Sequence, residues 1–243
     1  PVPLMSPLMG VSYTGHYSGK LLWVHHTHDS SLWPSQGIIY QGAVLAALGA
    51  AGAESRFRLQ WTENAEHIMP AWLPPSPLRA SNTELVDYTP IIEQGLVDLA
   101  RWVEEDVAPA STSYQYVDGQ VRLPATAAER GGVQPVVSVT ANGGSLATVS
   151  VGEQVTLEVH AEAPAAGGTI VSVQWDFDGK GTYPYSDPSV NGSATSETLE
   201  TTHTYDAPGT YFATALVASH RDGDVNAKHR RLQNLASARV VVR

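Results

Sequence analysis

The chain has 243 residues, room for one or two domains of about 100–200 residues each. Its 14 Lys plus Arg face 24 Asp plus Glu, and the resulting net charge of −10 disfavours nucleic acid and anionic membrane surfaces as partners. Without cysteine there are no disulfides, thiolate metal sites or Cys nucleophile, and the longest apolar stretch, Gly42 to Ala53, is short of the ~20 residues of a membrane span.

The sequence opens at Pro1, and residues 1–20 lack the charged start and apolar centre of a signal peptide, so a preceding portion of the gene product is expected. Leu21-Leu22-Trp23-Val24 is a continuous apolar run of the kind found in a buried parallel strand. It ends at His25-His26-Thr27-His28-Asp29. Ile38, Ile39, Val44, Leu45 and Leu48 then recur at helical spacing, with Ser35 as the expected N-cap. Phe57 to Trp61 alternates like a strand and runs into Thr62-Glu63-Asn64-Ala65-Glu66-His67, where Glu63 and Glu66 are expected to be solvated. A Pro-rich loop covers Pro70 to Pro77. A second helix follows, with Thr89 as cap, Pro90 in its first turn, and Ile92, Leu96, Leu99 and Val103 on one face. Strand, helix, strand, helix implies a parallel α/β sheet.

Residues 109–133 are rich in Ala, Thr, Ser, Gly and Pro and read as a linker between a first domain at 1–108 and a second at 134–243. In the second half, Val136–Ala141, Val155–His160, Ile170–Phe177, Tyr211–Val217 and Ala238–Val242 read as strands separated by turn residues. This pattern predicts an all-β sandwich.

Asp29 and His67 each follow a predicted strand, at the C-terminal ends where open α/β sheets place their functional groups. Acid before histidine is the chain order of α/β-hydrolase triads. Asp29 would orient His67 and stabilise its imidazolium, and His67 would take the proton of a nucleophile. The plain alternatives are an Asp29 that caps its own loop and an ordinary loop histidine. His25, His26 and His28 beside Asp29 raise the question of a metal, but neighbours on a strand point to opposite faces, so no metal site is predicted. Trp33 and Trp72 lie in the loops beside Asp29 and His67. They are candidate pocket-lining residues, with packing an equal reading.

Gly19 to His25, Asp29, Pro34 and Tyr40 resemble the acid-bearing strand and following helix of α/β-hydrolases in the tannase and feruloyl-esterase neighbourhood. Arg56-Phe57-Arg58 with Glu63 to His67 resembles the histidine segment. The resemblance covers residues 19–107 and implies the C-terminal part of a serine ester hydrolase with no cofactor. It departs from fungal-type tannases in having Ile68, and no Cys, after the histidine. No G-x-S-x-G occurs, and Gly15-His16-Tyr17-Ser18-Gly19 has its Ser one position late. The nucleophile and the oxyanion donors are therefore expected in an N-terminal segment or a partner chain that completes the sheet, since residues 1–18 cannot supply the missing strands.

Val173-Gln174-Trp175-Asp176-Phe177-Asp178-Gly179 and Thr202-His203-Thr204-Tyr205 to Tyr211 resemble the two signature segments of polycystic kidney disease (PKD) domains, an immunoglobulin-like fold. The resemblance implies a secreted, cell-surface or periplasmic protein. Asp176 and Asp178 are expected to satisfy backbone donors in a turn rather than hold calcium. The expected fold class is thus the end of an α/β-hydrolase sheet plus an all-β PKD sandwich. The expected activity is hydrolysis of a small carboxylic ester, with no nucleic acid or membrane span involved. Cleavage of an amide by the same triad stays open. The alternative is a non-enzymatic extracellular binding or adhesion fragment with a degenerate hydrolase half.

Overall fold

A computed structural model describes residues 13–69, 72 and 83–243; apart from Trp72, the Pro-rich loop expected from Pro70 lies outside the described residues. The first half is built on β1 (Leu21–His26), α1 (Ser35–Arg56), β2 (Phe57–Thr62) and α2 (Thr89–Glu105). β1 and β2 pair parallel and in register, from Leu21 opposite Phe57 to His26 opposite Thr62. β2 is buried along its whole length. Alternation on β1 divides its side chains between the two helices. Leu21 and Trp23 join Val44 of α1 and Phe57, Leu59 and Trp61 of β2 in one apolar cluster. Leu22 and Val24 face α2, where Gly95 permits close contact: a Cβ there would lie 3.2 Å from Leu22 Cδ2.

Both helices begin at their presumed caps, one residue earlier than expected. Pro34 and Tyr88 occupy the N-cap positions, and neither Ser35 nor Thr89 caps through its side chain. α1 is apolar nearly all round, and by length and composition alone it would reach across a bilayer. It is interrupted at Gly49 (φ 69°) and packs on the sheet through Val44 and Ala53. Its outward side chains Ile39 and Leu45 are exposed.

α2 turns the expected way but buries a different stripe. Ile91, Gly95, Asp98 and Trp102 face the protein. Ile92, Leu96 and Val103 point into solvent, Leu96 at 64% exposure. The reason is competition between two faces of one helix. The Gly95 face gains close contact with β1, and Asp98 receives the Arg221 guanidinium from the second half.

Residues 109–133, read as a linker, are folded. The chain runs beside β2, where Thr112 N–H donates to Leu59 O (3.0 Å) and Trp61 N–H donates to Thr112 Oγ1 (3.1 Å). It then forms a hairpin of β3 (Gln115–Val117) and β4 (Gln120–Arg122) and the short α3 (Ala127–Arg130), which Thr126 caps. The outer edge of β2 is thereby covered, whereas β1 pairs with β2 alone among the described residues.

The second half comprises β5 (Val136–Ala141), β6 (Leu146–Val149), β7 (Gln154–Glu162), β8 (Thr169–Asp176), β9 (Tyr185–Ser186), β10 (Ser196–Thr204), β11 (Gly209–His220) and β12 (Leu232–Val242). One sheet has the order β10-β7-β5 and the other β6-β12-β11-β8-β9. Between them lies one core that includes Val155, Leu157, Val159, Ile170, Val173, Trp175, Val217 and Val240. Trp175 is 1% exposed, and Phe177 packs against the rim of this core.

The two halves meet along a seam that is part apolar and part polar. Ala65 and Val86 pack on Leu235, and Ile91 packs with Val133 and Leu232. Asp98 pairs with Arg221, and Glu93 accepts from His229 and from Arg230 N–H.

Candidate functional site

Because β1 and β2 end level, the loops after them start side by side. Thr27 N–H donates to Thr62 O (3.0 Å) and His28 N–H to Ala65 O (3.1 Å), so the two loops continue the sheet pairing for a further turn. This carries Asp29 and His67 to the same end of the sheet, with His67 Nδ1 3.2 Å from Asp29 Oδ2.

Asp29 does two things at once. It is buried, and its Oδ1 accepts the N–H groups of Ser31 (2.9 Å) and Leu32 (2.6 Å), closing the turn after β1. That fixes the carboxylate plane and aims Oδ2 at the imidazole. The loop-capping and histidine-orienting roles, alternatives in the sequence, are divided between the two oxygens of one carboxylate. With Nδ1 engaged, Nε2 is the nitrogen left to exchange a proton, on a ring whose side chain is 42% exposed.

Three further side chains surround the pair: Tyr88 and Ser30, which sequence reasoning did not single out, and His26, considered there only as a metal ligand. Tyr88 O–H donates to the His67 backbone carbonyl (2.7 Å), and its ring lies 4.0 Å from the His26 ring. Burial, reinforced by the negative charges of Asp29, Asp87 and Glu66, holds the Tyr88 phenol above its ordinary value and keeps it a donor. His26 is buried, and burial lowers its pKa to about 4, so it remains neutral beside Asp29 and does not compete as a cation for that carboxylate. Ser30 Oγ donates to Glu66 Oε1 (2.5 Å), tying one loop to the other. Nothing in the sequence marked Tyr88 or Ser30, and His26 stood out only within the run His25-His26-Thr27-His28.

The remaining candidates diverge. His25 stacks between Trp23 and Trp61, with Nε2 2.9 Å from Leu32 O, and His28 Nδ1 lies 3.0 Å from Thr27 Oγ1. Among the described residues, no three His, Cys, Asp or Glu side chains are grouped to hold a metal ion. Trp33 and Trp72 are 67% and 71% exposed, so neither is packed into a core. A cleft of about 680 Å³ opens between the two halves, lined by Glu66, Glu84 and Leu85 on one side and Val137, Leu235 and Ser237 on the other; Asp29, His67, Trp33 and Trp72 are not among its lining residues. Glu63, expected to be solvated, is instead ion-paired with Arg130 (2.6 Å).

In the second half, Asp176 is buried and accepts Gly181 N–H (2.5 Å), while Asp178 pairs with Lys180 (2.5 Å). Tyr205 O–H donates to Phe177 O (2.9 Å), joining the two signature segments. Two facing, mainly antiparallel sheets around a single tryptophan-centred core define this half as an immunoglobulin-like β-sandwich. A family model for the PKD domain matches residues 137–230, and this part of the chain is a PKD domain.

Among solved structures, the chain is similar to the crystal structure of the CARDB domain of the PF1109 protein from Pyrococcus furiosus, determined in complex with di-metal ions. Identity is 19%, coverage is 45% of this chain and 92% of that one, and the TM-score is 0.30. A solution NMR structure of the same domain gives 21% identity, 45% and 96% coverage, and a TM-score of 0.30. No curated protein matches the chain.

Proposed function

We propose that this chain supplies the acid and base of a secreted, cell-surface or periplasmic serine hydrolase that cleaves a small carboxylic ester. The hydrogen-bonded Asp29–His67 pair at the shared end of two parallel strands carries the reading. In the reaction, His67 Nε2 removes the proton of a serine hydroxyl as that oxygen attacks the ester carbonyl carbon. The tetrahedral adduct collapses with cleavage of the ester C–O bond, and the proton passes from His67 to the departing alkoxide. Water then repeats the sequence on the acyl-enzyme, returning the serine. Asp29 Oδ2 holds the Nδ1 proton and offsets the charge on the ring throughout.

The serine and the oxyanion donors come, in this proposal, from an N-terminal segment or second chain of the same hydrolase that docks on β1. Two observations support that partner. The outer edge of β1 is unpaired among the described residues, and the stripe Ile92, Leu96, Val103 lies exposed on α2. Trp33 and Trp72, exposed in the chain segments that follow Asp29 and His67, are available to the substrate of the completed enzyme. The second reading, a non-enzymatic extracellular binding fragment, draws on the PKD match alone.

The test is co-expression with a polypeptide carrying a G-x-S-x-G elbow, followed by an assay of ester turnover. Association along the sheet together with turnover that His67→Ala abolishes supports the hydrolase. Association with turnover unchanged by His67→Ala overturns it and leaves the binding fragment.

A further inference from the structure

The β-sandwich half does more than sit beside the α/β half: two of its buried amides, just outside the two ends of the PKD match, grip the loop that carries His67. Gln134 is 3% exposed, and its side chain bonds both backbone groups of Glu63: Glu63 N–H donates to Gln134 Oε1 (2.7 Å), and Gln134 Nε2 donates to Glu63 O (3.0 Å). The same Nε2 also reaches Gln233 O (2.9 Å), at the start of β12. Asn234 is fully buried. Its Nδ2 donates to Glu63 Oε2 (3.1 Å) and Pro135 O (2.8 Å), and its Oδ1 accepts Asn64 Nδ2 (3.0 Å). Asn64 Nδ2 also donates to Leu235 O (2.9 Å).

Asn64 is the pivot of the loop. Its backbone is left-handed (φ 55°), its carbonyl accepts Val86 N–H (2.8 Å), and fully buried Ala65 follows it, packed on Val86 and Leu235. Three residues beyond the pivot is His67. Buried amides contribute little net stability, since each must first be desolvated, but when every donor and acceptor is matched they admit only one geometry. Here the geometry they fix is that of residues 63 and 64, hence the direction in which the chain leaves for His67.

We propose that Gln134, Asn234 and Asn64 are positioning residues, through which the β-sandwich half orders the His67 loop. That half is then a working part of the hydrolase rather than a spacer attached to it. The proposal extends the catalytic reading and rests on it for the role of His67; the ordering itself is measurable without any substrate.

The experiment is hydrogen–deuterium exchange by mass spectrometry on the full chain, at concentrations low enough to keep an open sheet edge soluble. Asn64→Gly keeps the left-handed backbone and deletes only the amide. Asn64→Asp keeps the size but sets a carboxylate against Asn234 Oδ1 and Leu235 O. Amides 65–69 should exchange about ten-fold faster in Asn64→Gly and faster still in Asn64→Asp, with β7 and β11 unchanged. The imidazole Nδ1–H resonance of His67 should broaden in the same order. In the reconstituted enzyme, kcat should fall with KM unchanged. Unaltered exchange at 65–69 in both variants overturns the proposal whatever the activity. Faster exchange there supports it even if ester turnover is never found, an outcome that sinks only the catalytic reading.

Discussion

The PKD sandwich and the α/β half use the same kinds of side chain in opposite ways. In the sandwich, the inward residues of both sheets close on Trp175 and on one another, and the core is complete within residues 137–242. In the α/β half, a strand flanked by helices on both faces leaves its outer edge unpaired among the described residues, and α2 carries Leu96 and Val103 at 64% and 62% exposure. The enclosed core leads to the expectation that the sandwich folds by itself, and the apolar stripe with the open edge supports the completing partner proposed above.

The largest effect that would sharpen this contrast is chemical. In a reconstituted hydrolase, His67→Ala should lower ester turnover by about a thousand-fold or more, measured as kcat/KM, while the sandwich keeps its melting behaviour. Next comes the core of the self-sufficient half. Trp175→Ala should cost roughly 3–5 kcal/mol by urea unfolding of a 134–243 segment, and a segment that shows no cooperative transition before mutation would break the comparison.

Acid should act on the α/β half through His26. Burial holds its folded pKa at about 4, below the ordinary value of 6.5, so the unfolded chain binds the proton first. Stability is fully present above about 6.5 and is lost as pH falls towards 4, by at most about 3 kcal/mol from this group. His26→Phe, which keeps the ring on Tyr88, should remove that part of the pH dependence in melts compared with the unmodified chain. The smallest change in stability is expected on the exposed stripe. Leu96→Lys with Val103→Lys should shift unfolding by no more than about 0.5 kcal/mol. The same pair should prevent docking of the completing segment; docking that persists would remove the stripe from the proposed interface.

Much of this architecture was legible because periodicity reports burial. Leu21–Val24, Phe57–Trp61 and the strands around Trp175 all announced themselves by residue type, and the parallel end that gathers Asp29 and His67 followed from their order. The misread parts share a physical cause. The stripe on α2 was correctly seen as apolar, yet apolar residues mark a face that wants burial and do not say which protein surface provides it. β10 went unread because its sequence, Ser-Glu-Thr-Leu-Glu-Thr-Thr-His-Thr, holds one aliphatic residue and earns its place by backbone pairing with β7. The segment at 109–133 has linker composition, but its Thr112 serves β2 through backbone and hydroxyl groups that hydrophobicity cannot register. Glu63 read as a solvated carboxylate because Arg130, Gln134 and Asn234, which hold it, are distant in sequence.

The strip of chain at 110–112 along β2 has a further consequence, for how this protein can misassemble. Gln60 Nε2 and the Leu59 carbonyl are already occupied by Ala110 O and Thr112 N–H. Among the described residues the sheet therefore has one closed border and one open one. Two copies that pair β1 against β1 about a two-fold axis would use up both open borders and present closed ones outward. Fibres grow only where each added unit exposes a fresh edge, so pairing through this sheet terminates at a dimer.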